Sequence, residues 1–388
     1  MSHISKLDTI LKCSNLARIE RNKIVAASLA NRAKSCFLNA TNSSPEYDYN
    51  QPYKRNCENM IGTIQVPVGI IPNVIVNSKS YMVPFATTEG TLVASISRGV
   101  KALSDGVSTN IVNNGITRGL LIETLDLSSA TMLIQQMKRM NERITLEFER
   151  GSNHLKLQDI VYIQMGKQLH LRFQATTGDA MGMNMISIGV LNVWNNIIQR
   201  EFPNVKYISI SGNTCTDKKA NYMNWIRGRG YEVNAEAIIT KEKLASVLKI
   251  TPDEIVSLNV KKNFIGSALA GTVGGNNSHA ANVVAGLFLV SGQDIAQIGT
   301  SSMCIFNVEK NVDGDLYCSL RMPCMELALI GGGTNLFPQN DYLGMMDLKN
   351  TGEFASVIAA CVIAGELSLL TALIQHDLVS AHMKFNRK

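Results

Sequence analysis

Ser211-Gly-Asn-Thr-Cys-Thr-Asp217-Lys218-Lys219 is a polar stretch that follows the strand-like run Lys206-Tyr-Ile-Ser-Ile-Ser. Its Gly-Asn pair favours a tight turn. The aspartate beside Lys218 is available to hold the ammonium group in place. An ammonium fixed in a water-poor cleft stabilises a developing oxyanion, because the local dielectric constant is low. Such sequences also occur as ordinary solvated loops, so this stretch needs support from the rest of the chain.

The composition is that of a globular protein with a large core. The 388 residues are 45% hydrophobic and 18% charged, which predicts two or three domains. The net charge is +6 and the sequence pI is about 8.8, but no long run of Lys and Arg occurs. We therefore expect anionic small ligands and no nucleic-acid partner.

Cysteine spacing and hydropathy indicate the compartment. The eight cysteines contain no C-x-x-C pair and the histidines show no zinc spacing, so we expect free thiols, no metal site and a cytoplasmic location. The longest apolar run, residues 357–365, is shorter than the roughly 18 to 20 residues of a membrane span and precedes Glu366. The first eight residues lack the apolar core of a signal peptide. We expect a soluble chain without a membrane span.

The order of patterns predicts an α+β protein with an inserted domain. Residues 1–55 show helical spacing, 61–68 and 74–85 are β-rich, and 89–103 show helical spacing. A βαββα unit follows, as in a small ferredoxin-like domain. Its predicted elements are strand 119–124, helix 128–143, strand 145–149, hairpin strands 160–164 and 169–173, and helix 179–200. Beyond the polar stretch, glycine-rich turns separate apolar helices at 279–290 and 355–373.

These patterns predict four parts. A helical N-terminal domain spans residues 1–55. A large α/β domain comprises residues 56–118 and 222–388. The small insertion spans 119–210, and residues 211–221 form a connecting loop that carries Lys218.

Several isolated residues admit a catalytic and a structural interpretation. Glu89 is a carboxylate in an uncharged segment, and it is either a buried proton donor or a helix N-terminal charge. Asp294 follows an apolar helix as a buried acid or as a loop residue. His382 is close to the C-terminus, where most side chains have no function. Gly178-Asp-Ala-Met-Gly-Met-Asn184 opens a helix and suits either a pyrophosphate or close helix packing.

Together, several motifs resemble the 3-hydroxy-3-methylglutaryl-coenzyme A (HMG-CoA) reductase family, class I, in its catalytic portion. The likeness extends from about residue 47 to residue 387 in unbroken order. The motifs are Glu58-Asn-Met-Ile-Gly62, Ala86-Thr-Thr-Glu-Gly90, Gly178-Asp-Ala-Met-Gly-Met-Asn184, Asp217-Lys-Lys219, Gly271-Thr-Val-Gly-Gly275, His279-Ala-Ala-Asn282, Gly292-Gln-Asp294 and Gly365-Glu-Leu-Ser368.

The resemblance implies the reduction of HMG-CoA to mevalonate and free coenzyme A with two NADPH, in isoprenoid and sterol biosynthesis. Lys218 would stabilise the oxyanion, Glu89 would donate protons, and Asp294 would link and tune both. His382 would protonate the coenzyme A thiolate. The large domain would bind the thioester and the insertion would bind NADP(H).

The resemblance also implies a set of binding residues. Those for the hydroxymethylglutaryl group are Arg118, Ser211, Asp217, Lys219, Lys262 and Asn282. Those for the cofactor are Asp179, Met181, Gly182, Met183, Asn184, Asn386 and Arg387. The segment 58–62 would belong to a dimer contact, giving a homodimer or homotetramer with active sites between subunits and sensitivity to statins. An upstream anchor, if one exists, would place the chain at the cytosolic face of the endoplasmic reticulum.

The chain departs from the family pattern near the cofactor. Ser152-Asn153-His154 aligns where vertebrate members have Ser-Arg-Phe, so a cation for the 2′-phosphate is missing. Lys156, Arg150 or Arg387 would then substitute, or NADH would be accepted. Ala328 is bulkier than the glycine that family members have at this position. The alternatives are a catalytically silent ligand-binding relative, an NADH-preferring member, and the degradative NAD-linked reaction.

Overall fold

The computed structural model describes residues 56–376, together with residues 22, 23, 26 and 27. The strands are β1 Val68–Val76, β2 Lys79–Ala86, β3 Ser108–Glu123, β4 Lys156–Met165, β5 Gln168–Thr176, β6 Lys206–Ser209, β7 Gly230–Ile239, β8 Gly275–Asn276, β9 Cys304–Lys310 and β10 Leu316–Met325. The longer helices are α1 Leu92–Ala102, α2 Leu127–Arg139, α3 Asn141–Phe148, α4 Met183–Val193, α5 Tyr222–Arg227, α6 Pro252–Asn259, α7 Ala280–Val290, α8 Gln339–Met345 and α9 Thr351–Ile374. Shorter helical segments are Trp194–Ile198, Gln199–Glu201, Lys241–Lys243, Leu244–Leu248, Val260–Gly266, Ser267–Ala270, Ile295–Gln297, Ile298–Ser301 and Gly332–Asn335.

One long strand, β3, connects the two halves of the main sheet. The sheet order is β4-β5-β3-β7-β10-β9-β8, and β6 also pairs with β3. Residues 108–115 of β3 pair with β7, and residues 116–123 pair with β5. Every pairing is antiparallel except that of β8 with β9. β1 and β2 form a separate antiparallel ribbon.

The smaller half contains the predicted βαββα succession of elements, without the additional strand expected at 145–149. Its strands lie in the order β6-β3-β5-β4, with α2 and α3 between β3 and β4 and with α4 between β5 and β6. This is the split βαβ arrangement of a ferredoxin-like sheet. Phe148 and Phe173 stack in its core at a centroid distance of 5.5 Å.

The larger half is packed around α9. This helix is apolar on almost every side, as expected for a helix enclosed by protein, and it contacts α1, α7 and β7. By length and composition α9 would also pass as a membrane span, but 78% of its apolar window is buried within the chain. Glu366, which follows the apolar run, lies inside α9, in agreement with the helix predicted at 355–373. Its carboxylate accepts hydrogen bonds from the backbone of Ser278 and His279 at 2.7 and 2.8 Å, where α7 begins.

Two sequence-based assignments of strands are wrong. Residues 145–149 belong mainly to helix α3, whose buried residues Ile144 and Phe148 are four positions apart and share one helical face. The β-rich run 61–68 contains no regular strand before Val68. There Ile64 is exposed and Pro67 has no N–H to donate to a ladder.

The remaining elements differ from expectation mainly at their ends. The 160–173 hairpin and the two apolar helices are present. The helix expected at 89–103 begins at Leu92, and the helix expected at 179–200 begins at Met183. Most of the predicted N-terminal helical domain lies outside the described residues.

Candidate active site

The lysine loop, residues 211–219, lies beside the middle of β3. The Gly212 N–H donates to the Gly119 carbonyl at 2.7 Å, and the Thr117 hydroxyl donates to the Cys215 carbonyl at 2.6 Å. Asn213, Thr216 and Lys218 have φ values of 63°, 56° and 59°. Such left-handed conformations are uncommon for residues other than glycine, and they cluster at functional sites.

Lys218 forms an ion pair with Asp294. The Lys218 Nζ atom lies 3.0 Å from Asp294 Oδ2, and the two side chains are 45% and 33% exposed. Asp294 also caps a helical turn by accepting from the Ala296 N–H at 3.1 Å. The contact expected between Lys218 and Asp294 is therefore present, but a dry enclosure around the ammonium is not found within this single chain.

Asp294 is held in position by the glutamine that precedes it. The Gln293 side chain donates to the Ala328 carbonyl at 2.9 Å and accepts from the Ala328 N–H at 2.8 Å. Gln293 is buried, so neither bond competes with bulk water. This double contact fixes the chain after α7 against the segment after β10.

Glu89 is part of a second polar pair. Its Oε2 atom accepts a hydrogen bond from Asn282 at 3.0 Å, and its backbone N–H donates to the Thr87 hydroxyl at 2.9 Å. Glu89 is exposed and lies in the turn before α1. Among the described residues, no hydrogen bond or ion pair joins Glu89 to Lys218 or Asp294. Of the two interpretations of Glu89, a buried carboxylate is not found within the single chain.

Asp217 belongs to a buried charge network. Its Oδ1 atom accepts from Arg229 at 3.1 Å and from Gln297 at 2.8 Å. Arg229 is completely buried, and its Nη1 atom lies 2.6 Å from Glu326. Burial raises the pKa of Glu326 to about 7, although the Arg229 charge and the hydrogen bond from Ser301 oppose this rise. Burial by itself lowers the pKa of Arg229, but its two carboxylate partners outweigh it and raise that pKa.

Cys215 is a buried thiol within the lysine loop. Burial acts to raise its pKa. Hydrogen bonds from Ser211 and from the backbone of Asp217 and Gly119, with the charge of Arg229, outweigh burial and lower the pKa. Its Sγ atom lies 3.4 Å from the Ser211 hydroxyl.

The other predicted substrate ligands occupy three elements. Arg118 is half-buried on β3, and its Nε atom is buried without a hydrogen-bond partner. Lys219 is exposed and donates to the Asp217 carbonyl at 3.3 Å. Lys262 lies on the segment Val260–Gly266, next to Asn263, which bonds to Ser278. These cations suit a carboxylate ligand, and their roles remain predictions.

The predicted cofactor residues form the turn at 179–184, which begins α4. Gly182 has a φ of 85°, and a Cβ atom there would lie 2.2 Å from Thr177, so only glycine fits. No side chain caps α4 and its first turn carries no acidic residue, so its free N–H groups suit a phosphate.

Asp179 has a structural partner. Its carboxylate accepts from the backbone and hydroxyl of Thr351 at 2.8 and 2.9 Å. Within the same turn, Met181 and Met183 are half-buried and Asn184 is exposed.

The structure also describes the aligned Ser152-Asn153-His154 segment. A Cβ atom on Gly178 would lie 3.5 Å from His154 Nδ1, so the imidazole is next to the 179–184 turn. Lys156 and Arg150 are already paired with Glu149 and Glu147. His382, Asn386 and Arg387 lie outside the described residues.

Sequence reasoning assigned no role to four side chains that hold the site together, although two of them lie in the quoted motifs: Arg229, Gln293, Gln297 and Glu366. Each acts through a partner far away in the sequence. For Arg229 the local signal was a charged residue between two glycines, directly before a strand. No metal-binding cluster occurs among residues that the structure describes.

Comparison with known proteins decides the family. The family model for hydroxymethylglutaryl-coenzyme A reductase matches residues 17–387. This chain belongs to the HMG-CoA reductase family. It is 45% identical to the reductase of Gibberella fujikuroi (strain CBS 195.34 / IMI 58289 / NRRL A-6831) over 357 residues, covering 88% of this chain and 30% of the relative.

Other HMG-CoA reductases show similar agreement. Reductase 2 of Saccharomyces cerevisiae (strain ATCC 204508 / S288c) is 44% identical, covering 88% of this chain and 34% of the relative. Reductase 2 of Arabidopsis thaliana is 41% identical, with 88% and 63% covered. The chain thus spans 30 to 36% of the length of the first curated relatives.

Solved HMG-CoA reductases share the fold. The class II enzyme from Streptococcus pneumoniae, bound to NADPH in open conformations, matches with a TM-score of 0.69. The match covers 94% of this chain and 88% of that chain, at 18% identity. At this level of identity the likeness supports the fold alone.

Proposed function

We propose that this chain reduces HMG-CoA to mevalonate and free coenzyme A, using two molecules of a reduced nicotinamide nucleotide. The observation that carries the proposal is the Lys218–Asp294 ion pair. Lys218 has a left-handed backbone conformation, and the chain belongs to the HMG-CoA reductase family. A lysine held in this way is suited to stabilise negative charge on a carbonyl oxygen.

The first reduction needs charge stabilisation and then departure of a thiolate. The Lys218 ammonium would bind the thioester oxygen, which becomes an alkoxide when hydride adds to the carbonyl carbon. Asp294 would orient that ammonium. Collapse of the resulting hemithioacetal expels coenzyme A as a thiolate, and a thiol of this kind has a pKa of about 8.5. We assign its protonation to His382.

The second reduction converts the released aldehyde into an alcohol. A second hydride adds to the aldehyde carbon, and the alkoxide oxygen takes a proton. We assign this proton to Glu89, which Asn282 orients by the 3.0 Å hydrogen bond. The balance is one HMG-CoA, two hydrides and two protons giving one mevalonate and one coenzyme A. The nicotinamide supplies both hydrides, so it must be exchanged between the two steps.

The 179–184 turn would bind the nucleotide. Its uncapped helix start suits a pyrophosphate, and Gly182 lets the backbone turn closely at that point. We propose NADPH as the cofactor. NADH is a second candidate, because Asn153 stands where a permanently charged arginine aligns in vertebrate members, and Arg150 and Lys156 are paired with glutamates.

We further propose a homo-oligomer in the cytoplasm, or at the cytosolic face of the endoplasmic reticulum if the protein has an anchor. In the single chain Glu89 and Lys218 are exposed and do not touch. A second subunit would exclude water from both, which would strengthen their electrostatic contacts. The six cysteines among the described residues are free thiols, which suits a reducing compartment.

A stoichiometric assay tests the reaction. Purified protein is incubated with HMG-CoA and NADPH, while nicotinamide absorbance and free thiol are followed together. We expect two nicotinamides oxidised per thiol released, with mevalonate identified by mass spectrometry. A folded protein that binds coenzyme A esters but oxidises neither NADPH nor NADH would refute the proposal and favour a silent relative.

A further inference from the structure

Arg229 is a completely buried cation that contacts four different parts of the chain. Its guanidinium lies 3.1 Å from Asp217 and 2.6 Å from Glu326. It also donates to the Thr117 hydroxyl at 2.9 Å and to the Met183 sulfur at 3.2 Å. A planar guanidinium with five N–H groups can satisfy several partners at fixed angles, which a lysine cannot do.

The backbone around Arg229 is shaped to direct the side chain inward. Gly230 has a φ of 75°, and a Cβ atom there would lie 2.3 Å from the Met325 carbonyl oxygen. The Arg229 N–H donates to the Pro323 carbonyl at 3.2 Å. The start of β7 therefore lies directly against the end of β10, and the guanidinium occupies the space beneath the lysine loop.

The contacts of Arg229 connect the two predicted binding regions. Asp217 directly precedes Lys218 in the lysine loop, and Met183 is the first residue of α4, in the 179–184 turn. By contrast, the Gln297 side chain donates to Asp217 at 2.8 Å and has no hydrogen bond to Met183. Both Arg229 and Gln297 bind Asp217 through Oδ1. Among the described residues, no hydrogen bond to Oδ2 of Asp217 is found.

We propose that Arg229 is a positioning residue that fixes the lysine loop and the 179–184 turn relative to each other. It is not a catalytic residue, because its nitrogen atoms are bound to protein groups and shielded from the site. Glu326 is its counter-ion, so that one buried cation holds two carboxylates. The inference rests on the proposed function, since it assumes that the loop handles the thioester and the turn handles the nucleotide.

The test compares two variants that differ in which contacts they remove. The double variant Arg229→Met/Glu326→Leu removes the cation and its counter-ion together, because apolar replacement of a buried ion pair is often neutral for stability. Gln297→Met removes only the second contact to Asp217. The matched control is Arg321→Met/Glu232→Leu, which removes an Arg–Glu pair of 2.9 Å elsewhere in the sheet.

Steady-state kinetics separate positioning from mere stability. In the double variant we expect kcat to fall about 100-fold, the loss that a displacement of about 1 Å produces, and KM for NADPH to rise. In Gln297→Met we expect kcat to fall while KM for NADPH stays within twofold of the parent. The control should leave both parameters within twofold. The proposal would be overturned if the double variant and Gln297→Met changed kcat and KM for NADPH by the same factors. It would also be overturned if the control changed them as much as the double variant does.

Hydrogen exchange supplies a readout that needs neither substrate nor turnover. Amides in residues 179–184 and 211–219 should exchange faster in the double variant, while those of α9 stay unchanged. If only 211–219 changes, Arg229 does not link the two regions and the inference fails. If the double variant does not fold, Arg229→Lys serves instead, because one ammonium cannot replace Nε, Nη1 and Nη2 together, and these three atoms contact different partners.

The proposed function and this inference fail in different ways. A parent protein that neither binds NADPH by fluorescence titration nor turns over HMG-CoA removes the function. The exchange experiment would still decide whether Arg229 couples the two segments.

Discussion

The ion pair Lys218–Asp294 includes a residue of the lysine loop and the pair Arg229–Glu326 lies beneath that loop, but the two pairs differ in their exposure to solvent. The first pair is partly exposed in the single chain, whereas the second is completely buried. An exposed pair contributes little to folding, so its residues are free to be selected for chemistry. A buried pair is costly to break, so it fixes geometry. Substitution of the reactive group is therefore expected to lower activity, and substitution of the group that positions it is expected to lower the free energy of unfolding.

Substitution of the exposed lysine should give the largest loss of activity. Lys218→Ala removes the proposed oxyanion donor, and we expect kcat to fall about 1000-fold. The free energy of unfolding should change by less than about 1 kcal/mol, because the pair is partly solvated. The measurements are NADPH oxidation and urea unfolding. Lys310→Ala, which breaks the exposed pair with Asp253, is the control for loss of a surface cation.

Substitution of the buried arginine should give the largest loss of stability. Arg229→Met alone leaves Glu326 buried without its cation, and we expect the free energy of unfolding to fall by about 3 kcal/mol. Equilibrium unfolding in urea measures this change. A loss below about 1 kcal/mol would contradict the contrast between the two pairs.

The pKa of Glu326 predicts how stability depends on pH. Burial raises the pKa of this carboxyl from 4.5 to about 7 in the folded state, so between these values the folded chain binds more protons than the unfolded chain. The contribution of Glu326 to the free energy of unfolding should therefore fall as pH rises from 4.5 through 7. The expected size is on the order of 1.4 kcal/mol per pKa unit.

The matched variant isolates that contribution. Glu326→Gln keeps the volume and removes the ionisation, so unfolding curves recorded across this pH range should lose this part of the slope. The same slope in parent and variant would mean that Glu326 has no shifted pKa.

The cofactor side should show the smallest effect. Asn153, which aligns with the missing arginine, directly precedes His154, and His154 lies beside the 179–184 turn. We expect Asn153→Arg to raise the NADPH to NADH ratio of kcat/KM about tenfold, the value of one charge-assisted hydrogen bond. Asn141→Arg, on α3, is the control for added positive charge. No change in the ratio would place the 2′-phosphate elsewhere.

Local patterns were sufficient for much of the fold. The 160–173 hairpin and the apolar helices α7 and α9 have clear periodicity, and they are present with small changes at their ends. The 145–149 segment was misassigned because Thr145 and the residues around it favour a strand locally. The i, i+4 pair of Ile144 and Phe148 packs as a helix against the sheet and overrides that preference.

The site was predictable only in part, for a physical reason. Lys218, Asp294, Glu89 and Asn282 belong to motifs that are readable one at a time, and the structure forms two contacting pairs from them. The role of Arg229 depends on Asp217 and Glu326, which are 12 and 97 residues away in sequence. No local pattern encodes such a contact. The exposure of Glu89 also could not be inferred, because burial depends on what packs over a turn.

The shared strand β3 has a practical consequence for dividing this protein. The boundary predicted at 118/119 cuts through a continuous strand that pairs with β7 on one half and β5 on the other. A gene fragment beginning at 119 would omit Thr117, whose hydroxyl anchors Cys215. To express the ferredoxin-like part alone, or to graft it onto another scaffold, the fragment should begin at Ser108 and so keep β3 whole. Residues 108–115 of β3 then lack their partner β7, and a replacement strand should pair with them.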